Sequence, residues 1–157
     1  RDRLRSRGLG DVYKRQAVGC AQLKKFPSFV ERRIHNFNYL KEALKGTEDK
    51  LILPTACENS RPSWFGFLIT CREGVDRNKL VQEIESKGVQ TRMLFAGNLT
   101  KHPCFDQMRA TGKGYRIAGS LENTDRIMKD TFWIGVYPGM TDEMLSAMAD
   151  AIKEALN

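Results

Sequence analysis

The sequence predicts an α+β domain in which one small mixed or antiparallel sheet is covered on one face by helices. Two observations carry the prediction: apolar residues recur at helical spacing in four separate segments, and four short runs rich in aromatic and β-branched residues lie between them. A third bounds it, since no run approaches the roughly twenty apolar residues that span a bilayer.

Residues 1–16 stand outside that prediction. They show no apolar periodicity and no capping signal, and Asp11-Val12-Tyr13-Lys14-Arg15-Gln16 is what a sequencing-adapter end encodes. They are expected to be an artefactual or disordered tail, with the domain occupying residues 17–157. The tail holds six Lys or Arg against two Asp; without it the 26 basic and 19 acidic residues become 20 and 17, and the net charge falls from +7 to +3. The remaining charges are interspersed in sign, which gives no basic patch for nucleic acid. With no hydrophobic signal segment in view, the expectation is a cytoplasmic protein that binds neither nucleic acid nor membrane.

Residues 17–23 read as the tail of a helix that Phe26-Pro27 interrupts. Ser28 with Glu31 three residues on forms a capping-box pattern, and Val30, Ile34, Phe37, Leu40 and Leu44 then repeat at helical spacing until Gly46. The opposite face, with Glu31, Arg32, Arg33, Asn36, Asn38 and Lys41, reads as mostly solvated. Leu51-Ile52-Leu53-Pro54 and residues 64–71 are expected strands, paired antiparallel across the polar loop 55–62. Gly66 inside the second strand signals a close approach or a bulge, and Trp64 and Phe65 read as core aromatics before they read as a stacking surface. Asp76 suits the N-cap of a helix whose Leu80, Val81 and Ile84 face inward and which Lys87-Gly88 ends; residues 89–95 form the next strand. Further on, Asn123 or Thr124 caps a short helix through Ile127 and Met128, residues 132–136 form a strand, and Pro138-Gly139 turns the chain. Thr141 caps the last helix, where Asp142 and Glu143 suit the positive end and Leu145, Met148, Ile152 and Leu156 make the buried stripe. Its methionines read as gap-filling core.

Thr91-Arg92-Met93-Leu94-Phe95-Ala96-Gly97-Asn98-Leu99 is the strongest pointer to a site. It sets a cation, Arg92, on one face of a short apolar strand and turns sharply at Ala96-Gly97-Asn98, where Asn98 offers both donors and an acceptor. On spacing alone the same residues make an ordinary strand and a turn whose Asn tolerates left-handed backbone. Residues 98–121 show little periodicity and are expected to be a long loop of the kind that is functional or mobile. Within it His102, ahead of Pro103, reads as structural or as a substrate contact; His35 reads as a surface or helix-edge residue. Cys20, Cys57, Cys71 and Cys104 lack the paired spacings of zinc or iron–sulfur sites and read as small buried hydrophobes.

Ala17-Val18-Gly19-Cys20-Ala21-Gln22-Leu23, Trp64-Phe65-Gly66-Phe67 and Tyr137-Pro138-Gly139-Met140-Thr141-Asp142-Glu143 occur here in an order and spacing that resemble the DegT/StrS-type sugar aminotransferase family. Within it, Thr91-Arg92-Met93-Leu94-Phe95-Ala96-Gly97-Asn98-Leu99-Thr100-Lys101-His102-Pro103 is most similar to the CDP-4-keto-6-deoxy-D-glucose 3-dehydratase branch. The resemblance implies the smaller C-terminal domain of a type I pyridoxal phosphate (PLP) fold, with residues 17–46 as linking helices and the catalytic N-terminal domain upstream.

It further implies a parent enzyme that removes the C3 hydroxyl of a CDP-linked 4-keto sugar in the dideoxysugar branch of lipopolysaccharide O-antigen biosynthesis. Such a parent uses pyridoxamine phosphate (PMP), a histidine in place of the Schiff-base lysine, a 2Fe–2S iron–sulfur cluster and a partner reductase, and is a homodimer. The family's catalytic histidine, pyridine carboxylate, phosphate-binding residues and cluster cysteines have no counterpart in residues 17–157, so the chain is expected to be inactive alone and to hold no cofactor or metal. What the resemblance carries over is Arg92, Asn98 and His102 as walls of the CDP-sugar pocket. A plain PLP-dependent aminotransferase, a cluster-free 3-dehydratase and a free-standing α+β binding module stay open as alternatives.

Overall fold

The computed structural model describes the chain from Leu9 to Asn157; residues 1–8 of the expected tail lie outside the described residues. The elements run α1 (Leu9–Ala43), β1 (Leu51–Ile52), β2 (Gly66–Cys71), α2 (Arg77–Ser86), β3 (Thr91–Met93), α3 (Asp106–Thr111), α4 (Glu122–Asp130), β4 (Thr131–Gly135) and α5 (Asp142–Ala155). The strands form one sheet in the order β1-β2-β4-β3, and all three pairings are antiparallel. Between mixed and antiparallel, the sheet is therefore antiparallel. The segment containing α2 carries the chain from β2 past the position that β4 later fills, so β2 and β3 never pair directly.

The period of two along the strands sorts residues onto two faces. Phe67, Ile69 and Cys71 of β2, with Phe132 and Ile134 of β4, are buried together with Phe37, Leu40 and Leu44 of α1, Leu80, Val81 and Ile84 of α2, and Leu145, Ala149 and Ile152 of α5. Each large apolar side chain fully withdrawn from water contributes on the order of 1.5–3 kcal/mol before chain entropy is counted. The caps are local. Asp76 accepts from the backbone N–H groups of Asn78 and Lys79 at 2.8 and 3.2 Å, and Thr141 accepts from that of Met144 at 3.3 Å.

Several expectations are corrected. Helix α1 runs 35 residues without a break at Pro27, and Ser28 is inside it, donating its hydroxyl to the Lys25 carbonyl at 2.7 Å instead of capping a new helix. Residues 12–29 are exposed, so the carbonyl that Pro27 leaves without a partner is open to water. The helix also begins at Leu9, inside the segment expected to be a tail.

Asn36 belongs to no solvated face: it is 0% exposed and donates Nδ2–H to the Tyr137 carbonyl at 2.8 Å, tying α1 to the turn before α5. Only Cys71 is a buried cysteine; Cys20, Cys57 and Cys104 are exposed. The stripe of α5 is completed by Ala149 and Ala151, with Met148 and Leu156 only partly buried.

The loop expected over 98–121 contains two 3-10 turns, Leu99–Lys101 and Pro103–Phe105, and α3. Helix α4 starts at Glu122, its N–H received by the Ser120 hydroxyl at 3.2 Å, ahead of the expected Asn123 or Thr124 cap.

Candidate functional site

The second face of the sheet carries no stacked apolar layer like the first. Along it lie Leu68, Trp133 and, directly opposite Trp133 in the β3–β4 register, Arg92. Trp64, Phe65, Leu68, Leu94, Phe95 and Trp133 wall a groove of about 410 Å³. Its shape follows from one glycine. A Cβ on Gly66 would come within 2.6 Å of Trp133 Cε3, so only glycine lets the indole lie flat on the strand.

Trp133 is held there by donating Nε1–H to the Met93 carbonyl at 3.3 Å and by the edge of Phe65, whose ring centroid is 5.4 Å away at 89°. Trp64 packs on Phe37, centroid to centroid 4.6 Å, which anchors one wall to the core. Trp64 thus has the core role expected of it, whereas Phe65 is exposed. The arrangement of flat, partly wet aromatic surfaces suits a ligand ring or apolar sugar face better than it suits solvent.

Arg92 is exposed, and among the described residues neither a hydrogen bond nor an ion pair occupies its guanidinium. It therefore presents a full planar set of donors of the kind that grips phosphate in pairs.

The loop that follows β3 is closed on itself. The backbone N–H of Phe95 turns back to the Met93 carbonyl at 2.8 Å, and Phe95 takes φ +48°. Asn98 does not use the left-handed backbone that an Asn tolerates: it has φ −80°, and Phe95 with Gly97 at φ +63° makes the turn. A Cβ on Gly97 would lie 2.5 Å from Met128, which presses the loop onto α4.

Asn98 is 3% exposed, and both polar atoms of its side chain are bonded within the chain. Its Oδ1 accepts from the Thr100 N–H at 3.0 Å and hydroxyl at 2.7 Å, and its Nδ2–H donates to Asp125 at 2.7 Å. Lys101 completes the group, 2.9 Å from the other Asp125 oxygen. The Asn98 hydrogen bond, with Lys101 second, holds Asp125 below the usual carboxylate range.

His102 closes the loop from the other end, its Nε2 2.6 Å from the Ala96 carbonyl, which fixes the tautomer with the proton on Nε2. Arg109 binds the His102 carbonyl at 2.9 Å and also that of Thr100. Asn98 and His102 thus serve one loop, while Arg92 stands on the neighbouring strand. The sequence reading singled out none of Phe95, Trp133, Lys101 or Asp125 as site residues, because a pair such as Asn98 and Asp125 leaves no local signal.

Elsewhere, Asp142 at the start of α5 faces Arg32 at 3.0 Å and His35 at 3.4 Å, and the His35 hydrogen bond, ahead of Arg32, lowers its pKa. His35 is on the surface, as expected. Among the described residues there is no group of three or more His, Cys, Asp or Glu that could hold a metal, and no helix is long and apolar enough to cross a membrane.

Comparison with known proteins supports the resemblance seen in the motifs. The lipopolysaccharide biosynthesis protein RfbH of Salmonella typhimurium is 48% identical over 140 residues, covering 88% of this chain and 31% of that protein. The dTDP-4-dehydro-2,6-dideoxy-D-glucose 3-dehydratase of Saccharopolyspora spinosa is 44% identical over 140 residues, covering 88% and 29%. Among solved structures, the Escherichia coli GDP-4-keto-6-deoxy-D-mannose-3-dehydratase with bound hydrated PLP superposes with a TM-score of 0.72 at 25% identity, covering 87% of this chain and 34% of that one. The chain thus spans about a third of the length of these relatives. Its fold is that of PLP-dependent transferases of this type, and residues 14–153 match the family model: the chain belongs to the DegT/DnrJ/EryC1/StrS aminotransferase family.

Proposed function

We propose that the chain is part of a PMP-dependent, iron–sulfur-containing 3-dehydratase acting on CDP-4-keto-6-deoxyglucose in dideoxysugar biosynthesis, and that it supplies one wall of the sugar-nucleotide cleft. The observation that carries the reading is Arg92, unpaired among the described residues and the cross-strand neighbour of Trp133, on the sheet face that carries the aromatic groove. The 3-dehydratase name borne by a relative 44% identical supports dehydration over amino transfer, and the 91–103 motif supports the CDP sugar.

Among the described residues the groove and the cysteines fit neither cofactor nor cluster. The groove is walled without Lys, His, Asp or Glu, and three of the four cysteines are exposed and ungrouped. Cofactor and cluster fall to the polypeptide beyond this chain in a cytoplasmic homodimer served by a reductase.

What these residues do is bind and orient. Arg92 pairs with diphosphate oxygens through two parallel N–H bonds, and the aromatic walls exclude water, which strengthens that pairing by lowering the local dielectric. Asn98 and His102 shape the end of the wall by closing the loop that follows Arg92's strand.

The test is Arg92→Ala in the full-length enzyme. KM for the CDP sugar is expected to rise about tenfold or more, equivalent to about 1.4 kcal/mol of binding, with kcat little changed. Unchanged KM and kcat overturn the assignment, and an amino sugar as product in place of the 3-deoxy sugar overturns the dehydratase reading.

A further inference from the structure

We infer that Phe95 is a ring that contacts the bound nucleotide, and that Asn98 and His102 act as positioning residues that hold Phe95 in place without touching the ligand. The inference rests on the sugar-nucleotide reading above and deepens it.

Phe95 breaks two local rules at once. It is a bulky residue in left-handed backbone, at φ +48°, where side chains other than glycine are strained, and it is 80% exposed although it lies in an apolar run two residues past β3. Nothing in the packing among the described residues rewards that arrangement, yet the surrounding loop enforces it. The Phe95 N–H is bonded to Met93, and Gly97 leaves no room between the loop and Met128. Asn98 spends its side-chain amide and carbonyl on Asp125 and Thr100, and His102 clamps the Ala96 carbonyl. Both polar atoms of the Asn98 amide are bonded inside the protein and the residue is 3% exposed, which leaves a sugar hydroxyl little access to it.

The occupant is a flat heteroaromatic ring carrying phosphate. Phe95 and Trp133 are walls of one groove, and Arg92, the unpaired cation, shares the sheet face of Trp133. Stacking on such rings is tolerant of base identity while the cation selects the phosphate, which is the chemistry of a nucleoside diphosphate.

The test uses the full-length enzyme and CDP, with the dissociation constant read by calorimetric titration. Phe95→Ala is expected to weaken CDP binding by about fivefold or more, and Phe95→Tyr to restore it to within about twofold. Asn98→Ala is expected to weaken binding as well. Combined with Phe95→Ala, it should add no further loss in affinity even though Tm falls, because both substitutions remove the same contact.

Phe95→Ala binding as tightly as the unaltered chain, or losses from Phe95 and Asn98 that multiply, overturns the inference. If Arg92→Ala abolishes CDP binding while Phe95→Ala does not, the inference falls and the sugar-nucleotide reading stands. Absence of saturable CDP binding to the full-length enzyme overturns both.

Discussion

The two faces of the sheet are made from alternate residues of the same strands and have opposite fates. On one, Phe67, Ile69, Phe132 and Ile134 are wholly withdrawn from water beneath the helices. On the other, Leu68, Trp133 and Arg92, one residue out of step with them, meet a groove and solvent. Stability is concentrated on the first face, which leaves the second free to keep features that cost stability: exposed aromatic rings, a cation without a partner and a strained Phe95. A short antiparallel sheet suits this division, since it needs cover on one side only.

The largest effect that separates the faces is expected from neighbouring residues of β4. Phe132→Ala should cost about 3–5 kcal/mol, because it leaves a cavity in a fully packed core. Trp133→Ala should cost less than half as much while abolishing CDP binding. Urea titration of both variants checks this, and equal losses of stability would erase the distinction between the faces.

Cys71 sharpens the same contrast through pH. Burial first, and then the Asp130 carboxylate, raises its thiol from the usual 9.0 to about 11. The unfolded chain therefore releases this proton before the folded one does, so stability is intact below pH 9 and declines as pH rises from about 9 to 11, by on the order of 2 kcal/mol. Alkylation at pH 8 should label Cys20, Cys57 and Cys104 in the native chain and Cys71 only after unfolding.

A smaller loss, about 1 kcal/mol, is expected from Asp76→Ala, which deletes the cap of α2 on the packed side without altering the groove. Thermal unfolding should register it, and CDP affinity should not.

The packed half was legible in the sequence where the deciding physics is local. Asp76 and Thr141 cap the helices they were read to cap, because an N-cap needs only its own next turn. Three strands fall within the expected apolar runs and β4 starts one residue ahead of its run, at Thr131; Gly66 marks a close approach, here to Trp133.

The reading failed where a distant partner decides. Pro27 breaks nothing in α1, because solvent receives the carbonyl it orphans. Asn36 looks like a surface residue until the Tyr137 carbonyl, 101 positions away, is placed beside it. In the candidate site the motif was visible and its division of labour was not. Asn98 depends on Asp125, 27 positions on, and an apolar run at a strand end gives no hint that Phe95 turns outward.

The most direct test of the central claim, that this chain shapes a cleft whose chemistry lies elsewhere, is an assay of the purified 157-residue chain with a CDP-linked 4-keto-6-deoxy sugar and added PMP. The account predicts no turnover above the protein-free rate. Loss of the C3 hydroxyl at a rate proportional to chain concentration would contradict it.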